Sequence, residues 1–153
     1  MAARRAHGHG VTDQDYARLL TVRSGLRRFE RWSAEQAAAH GITPSQHQLL
    51  LAIRGHADPD ADAGPTVRQV ADYLLIRHHS AVELIDRCEA AGLIERSRDS
   101  VDHRVVRLRL AAKGEQLLAD LSGAHLEELS RLTPLFEEML DALNTPPGPV
   151  DPV

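Results

Sequence analysis

Apolar positions along the chain follow two different periods. From Thr12 to Ala39, Tyr16, Leu19, Leu20, Leu26 and Phe29 return at steps of about three and four residues, the spacing that gathers side chains on one face of an α-helix. His40-Gly41 closes the run, with glycine suited to a left-handed cap. Thr43-Pro44-Ser45-Gln46 then has the chemistry of a helix start. Thr43 caps, Pro44 suits the first turn and Gln46 reaches back. Leu49, Leu50 and Ile53 supply this helix's apolar face. Residues 57–65 are a loop by composition. Thr66-Val67-Arg68-Gln69 repeats the capping pattern, and Val67, Val70, Ala71 and Leu74 line one side of a short helix. The chain turns near Leu75–Arg77. Ala81, Leu84, Ile85 and Cys88 then fall at i, i+3, i+4 and i+7, the stripe of a buried helix face, which Gly92 ends.

After Gly92 the period changes. Leu93 to Arg98 looks like a strand, and Val105 to Leu110 alternates apolar and basic residues through most of its length, as a half-buried strand does. The charged stretch Asp99 to Arg104 joins them, so the pair predicts a β-hairpin directly behind a helix-turn-helix: a winged helix. Beyond Leu110, Leu117, Leu118, Leu121, His125, Leu129 and Leu132 form a helical stripe. Thr133-Pro134 is expected to break or kink it, leaving a final short helix with Leu135, Phe136, Met139, Leu140 and Leu143. The expected fold is mainly α with a small β-hairpin wing. A winged helix-turn-helix lobe (43–110) is flanked by leucine-rich dimerisation helices over 12–39 and 112–143, all in a single protomer spanning 1–153. Residues 1–11 and the proline-rich 144–153 read as flexible tails.

Composition narrows the class. Apolar residues make up 42% of the chain, enough for a core, while aromatics are only 3%, so that core rests on Leu, Ile, Val and Ala. No apolar run is long enough to span a bilayer, and the two N-terminal arginines are followed by no apolar signal segment. The lone Cys88 rules out an intrachain disulfide and fits a reducing cytoplasm. A net charge of −4 at first argues against nucleic acid, but its distribution matters more than its sum. From Thr66 to Leu110 there are 8 Arg against 7 acids, and from Ile94 to Leu110 there are 5 against 3. The chain is least acidic where a winged helix meets DNA.

Gly92-Leu93-Ile94-Glu95-Arg96, then Asp99, then Asp102-His103-Arg104, then Leu108-Arg109-Leu110-Ala111-Ala112-Lys113-Gly114 together resemble the MarR family (multiple antibiotic resistance regulators). Ile42-Thr43-Pro44-Ser45-Gln46 is similar to the start of that family's second helix, and Arg77-His78-His79-Ser80-Ala81-Val82 to the recognition-helix start of one of its subgroups. The resemblance spans roughly residues 15–143. One departure is Ala111, where the family usually has a capping Thr, which weakens the cap by ~1 kcal/mol. The resemblance implies a triangular homodimer on palindromic double-stranded DNA, with recognition helices about one turn (~34 Å) apart. For many members it also implies a small aromatic or acidic effector that shifts this spacing.

The candidate DNA-binding residues follow from position. Arg77, His78, His79 and Ser80 begin the recognition helix, which enters the major groove by its N-terminal end. Val82 suits a thymine methyl, and Glu83 either accepts from cytosine or orients a neighbouring cation. At the hairpin tip, Arg104 suits a narrow minor groove, with Asp102 orienting it as the family's Asp-x-Arg implies. Arg98 and Arg107 are candidate phosphate contacts. Other signals are weaker. Nine histidines show no zinc-ligand spacing, so neither a metal nor another cofactor is expected. Cys88 reads as a small core residue, and His125, beside Glu127 and Glu128, as a helical surface position. No Gly-rich phosphate loop, Gly-x-Ser-x-Gly or His-Glu-x-x-His is present, which argues against an enzyme. The expected function is a dimeric, ligand-responsive transcriptional repressor of the cytoplasm. The alternative is a small-molecule-binding protein of the same fold without operator binding. The effector and its binding residues are not specified by the sequence; Trp32 and His47, near the end of the first helix and in the second, are the nearest to pocket residues.

Overall fold

The computed structural model describes residues 11–56 and 64–144. Apart from Val11 and Asn144, the expected tails lie outside these. The elements are α1 (Asp13–Ala39), α2 (Pro44–Arg54), α3 (Val67–Leu74), α4 (His78–Ala90), β1 (Ile94–Arg98), β2 (Val106–Leu110) and α5 (Ala112–Asn144). Both expected capping boxes form. The Thr43 hydroxyl accepts from the Gln46 N–H while the Gln46 side chain accepts from the Thr43 N–H, and Thr66 and Gln69 repeat the exchange. Each box satisfies two N–H groups that the first helical turn leaves over.

Residues 32–126 form one compact unit, the winged helix with the adjoining ends of α1 and α5. Leu49, Leu50, Ile53, Val70, Leu84, Ile85, Cys88, Leu93, Ile94, Leu108, Leu118 and Leu121 pack as its continuous core. The stripe expected on α4, Ala81, Leu84, Ile85 and Cys88, is buried throughout. β1 and β2 pair antiparallel, with Ile94 opposite Leu110 and Arg98 opposite Val106. The Leu108 N–H donates to the Pro65 carbonyl at 2.9 Å, and Thr66 makes a bridge with Arg107, so the chain entering α3 lies along the edge of β2. α5 is seated by its first turn: the Ala111 N–H donates to the Leu93 carbonyl (3.0 Å) and Lys113 Nζ to the Ala91 carbonyl (3.0 Å). Gly114 lies so close that a Cβ there would stand 2.1 Å from the Leu93 oxygen.

The turn from α3 to α4 has an unusual occupant. Leu75 caps α3 at φ 54° and ψ 38°, in the left-handed region, and is 93% exposed. It is the one non-glycine residue with positive φ among the described residues. The second compact unit comprises residues 13–31 of α1 and 127–144 of α5 among those described. Gly25 there approaches Leu135, since a Cβ would lie 2.8 Å from Leu135 Cδ2. This unit leaves Tyr16, Leu19, Leu20, Leu26, Leu129 and Leu140 exposed.

One expected boundary is corrected. Thr133-Pro134 does not end α5, which runs unbroken from Ala112 to Asn144 with Pro134 inside it. The Thr133 hydroxyl donates to the Leu129 carbonyl (3.3 Å). Half-buried Leu132, Leu135 and Phe136 carry the apolar stripe across the proline, so side-chain packing on both sides favours continuing the helix over breaking it.

Candidate nucleic-acid interface

The first turns of α4 present Arg77, His78, His79 and Glu83 exposed, with Ser80 and Val82 half-buried beside them. Arg77 is the N-cap residue but makes no side-chain cap bond. The first-turn N–H groups therefore lack a side-chain acceptor, and with the helix dipole they form an edge suited to an anion. Farther along α4, Asp86 and Glu89 are both ion-paired with Arg96 of β1. That pairing offsets two acids on the helix and ties it to the base of the wing.

The wing tip is ordered by two aspartates. Asp99 accepts from the Val101 N–H (2.8 Å), the Asp102 N–H (3.0 Å) and Arg107 Nε (2.9 Å). The two backbone bonds and the Arg107 guanidinium lower its pKa to about 2. Asp102 accepts from the Arg104 backbone N–H, Nε and Nη2, each at 3.0 Å. This bidentate grip lowers the Asp102 pKa and raises that of Arg104. The Arg104 side chain remains 90% exposed, so its guanidinium is aimed but not covered. Arg98 is exposed, and its Nη1 donates to the His103 carbonyl (3.2 Å).

Within one compact unit the structure thus holds two groups of the expected residues: Arg77 to Glu83 on α4, and Arg98, Asp102 and Arg104 on the wing. Arg107 stands apart. Its side chain is only 20% exposed, and it bridges Asp99 to the Gly64 carbonyl (3.1 Å), bracing the wing against the segment before α3.

His125 was misread as a surface residue. It is buried, and its ring lies 4.6 Å from that of His47 and 4.9 Å from that of Trp32, centroid to centroid. Its place four residues after Leu121, on the same stripe, was the available signal. Cys88 is buried as expected, and burial pushes its thiol up to about 11. Among the described residues, no three His, Cys, Asp or Glu side chains cluster closely enough to hold a metal ion, and no helix is long and apolar enough to cross a membrane.

Comparison with known proteins gives a consistent set of likenesses. A family model described as the MarR family matches residues 40–105. The chain is 27% identical over 127 residues to the HTH-type transcriptional repressor MdtR of Bacillus subtilis (strain 168), covering 80% of this chain and 77% of that one. Its fold is similar to the crystal structure of transcriptional regulator PA4135, with a TM-score of 0.62, 28% identity and coverage of 82% and 86%. It is also similar to that of the S. aureus MepR–DNA complex, with a TM-score of 0.64, 19% identity and coverage of 88% and 95%.

Proposed function

Since this chain belongs to the MarR family, we propose that it is a transcriptional repressor that binds a palindromic operator as a homodimer in the cytoplasm. The observation that carries the reading is Arg104, almost fully exposed at the wing tip and held by both oxygens of Asp102. A guanidinium fixed in this way has already given up much of its rotamer freedom, so less is lost when it enters a minor groove. The first turn of α4 supplies the complementary major-groove contacts, Arg77, His78, His79 and Ser80, with Val82 and Glu83 facing base edges. Arg98 serves a phosphate. Arg107 is assigned a bracing role because Asp99 and the Gly64 carbonyl occupy it. The exposed apolar residues of 13–31 and 127–144 are the proposed dimer surface. Repression is supported by the relative MdtR, named as a repressor, and a small aromatic or acidic effector completes the proposal.

The test is selection of duplexes from a randomised pool, followed by titration of the selected duplex against salt with wild type and Arg104→Ala. The wild type is expected to prefer a palindrome and to show a steep salt slope. Arg104→Ala should bind at least tenfold more weakly, with a slope smaller by about one, at unchanged thermal stability and sedimentation. A wild type that selects no sequence at physiological salt overturns the reading.

A further inference from the structure

His47, from α2, is buried at the meeting of α1, α2 and α5, against His125 of α5. The hydrogen bonds of His125 define its tautomer. Nδ1 lies 2.7 Å from the Leu121 carbonyl, which can only accept, so Nδ1 carries the proton. Nε2 lies 2.7 Å from Ser33 Oγ on α1. In the neutral ring Nε2 accepts from that hydroxyl. His47 stacks on this ring at a tilt of 59°, and Trp32 of α1 packs on it at 58°. The surroundings of His47 offer little to stabilise a charge. From α5 the titratable group facing it is His125, the charge that acts on it. α1 brings Trp32 and Ser33 against His125, and neither titrates in this range. α4 brings Cys88, bonded to Gln46 of α2 and neutral. Tyr73 of α3 pairs with His56, and Arg107 of β2 is turned to Asp99. Burial first, then the charge of His125, push the His47 pKa below its usual 6.5.

We propose that the His47–His125 pair is a protonation switch acting on the DNA-binding reading above, on which its regulatory role rests. With His47 neutral the α2–α5 contact is closed. A proton arriving at His47 is buried with a second imidazole against its face, so the contact loosens. α2 packs on both α3 and α4, and the first turn of α5 seats Leu93 at the base of the wing. Loosening α2 from α5 therefore disturbs both DNA-contacting elements, and acidification weakens operator binding.

Acidification also changes the charge of protein and duplex away from position 47, so the readout is a ratio. Affinity for the selected duplex is measured at about pH 7.5 and about pH 5.5 for wild type and for His47→Leu, which cannot take the proton. Contributions from groups that the two proteins share cancel. The wild type is expected to lose about 3- to 10-fold relative to His47→Leu over this interval, the effect of a fraction of one proton to one proton. An unchanged ratio overturns the proposal. The ring resonances of wild-type His47 provide a test that needs no variant to fold. A midpoint below 6.5 that rises in His125→Gln supports the pair, and an ordinary midpoint indifferent to His125 overturns it. Thermal stability separates the two readings. If the wild type binds no DNA at any pH, the regulatory role falls with the DNA-binding reading. A melting temperature that falls between about pH 7.5 and 5.5 in wild type but not in His47→Leu still supports the switch.

Discussion

Substituting alanine for two glycines of α5 should have opposite effects, and the difference can be worked from the structure. At Gly114 the added methyl would stand 2.1 Å from the Leu93 carbonyl oxygen and 3.0 Å from its carbon. A comfortable C···O contact is about 3.3 Å or more, so the overlap exceeds an ångström. Backbone cannot swing aside as a side-chain tip can. Leu93 is buried, and its oxygen already accepts the Ala111 N–H. The first turn of α5 must lift, straining that bond and the packing of buried Leu118 and Leu121. Overpacking of this kind costs about 1–3 kcal/mol and the strained hydrogen bond about 1 more, so Gly114→Ala should lose about 3 kcal/mol. At Gly123 a Cβ meets nothing within 4 Å. Gly123→Ala should gain about 0.5–1 kcal/mol, the usual helix-interior preference. Urea denaturation at one fixed protein concentration measures both. Dividing by a typical urea slope of about 1–3 kcal/mol/M places the Gly114→Ala midpoint roughly 1–3 M below wild type and that of Gly123→Ala slightly above it. A Gly114→Ala protein within about 1 kcal/mol of wild type would refute the claim that α5 is seated by backbone contact.

Two further outcomes are expected. Leu75→Gly should raise stability by about 0.5 kcal/mol, because relief of the left-handed strain outweighs glycine's extra freedom in the unfolded chain and the exposed side chain gives up no burial; a loss seen by thermal denaturation would refute the strain. Asp99 titrates at about 2, below its usual 3.8, so its stabilising effect is complete above 3.8 and is lost as pH falls toward about 2. Amide exchange at Val101 and Asp102 should then, after correction for intrinsic rates, show a wing equally ordered from about pH 5 upward, with Asp99→Asn loosening it throughout; a wild-type wing that loosens near pH 5 would contradict this.

Local chemistry was legible in the sequence wherever it acts within a few residues. The threonine boxes at Thr43 and Thr66 declare their helices because cap and partner are three residues apart. The α4 stripe was legible because burial on one face imposes a period. The wing was legible because Val105 to Leu110 alternates through most of its length and the tip before it is charged. Features that depend on distant residues were not. The inward turn of Arg107 depends on Asp99 and on the Gly64 carbonyl, 43 positions away. The burial of His125 depends on Ser33, 92 positions away; neighbouring Glu127 and Glu128 suggested a surface, although the spacing from Leu121 pointed inward. Pro134 failed to stop α5 because half-buried residues on both sides outweigh one lost N–H. The strain at Leu75 had no sequence signal, since leucine is not a residue expected at positive φ.

On the proposed function, α4 keeps its two tasks on separate residues. Ala81, Leu84, Ile85 and Cys88 hold it to the core, while His78, His79 and Glu83 stand in solvent and contribute nothing to that hold. Asp86 and Glu89 are spoken for by Arg96, so the acids that would repel phosphate stay offset whatever their neighbours become. Specificity and foldability can therefore mutate independently. A duplicated copy of such a gene could drift toward a new operator one exposed residue at a time, remaining a folded protein at every step.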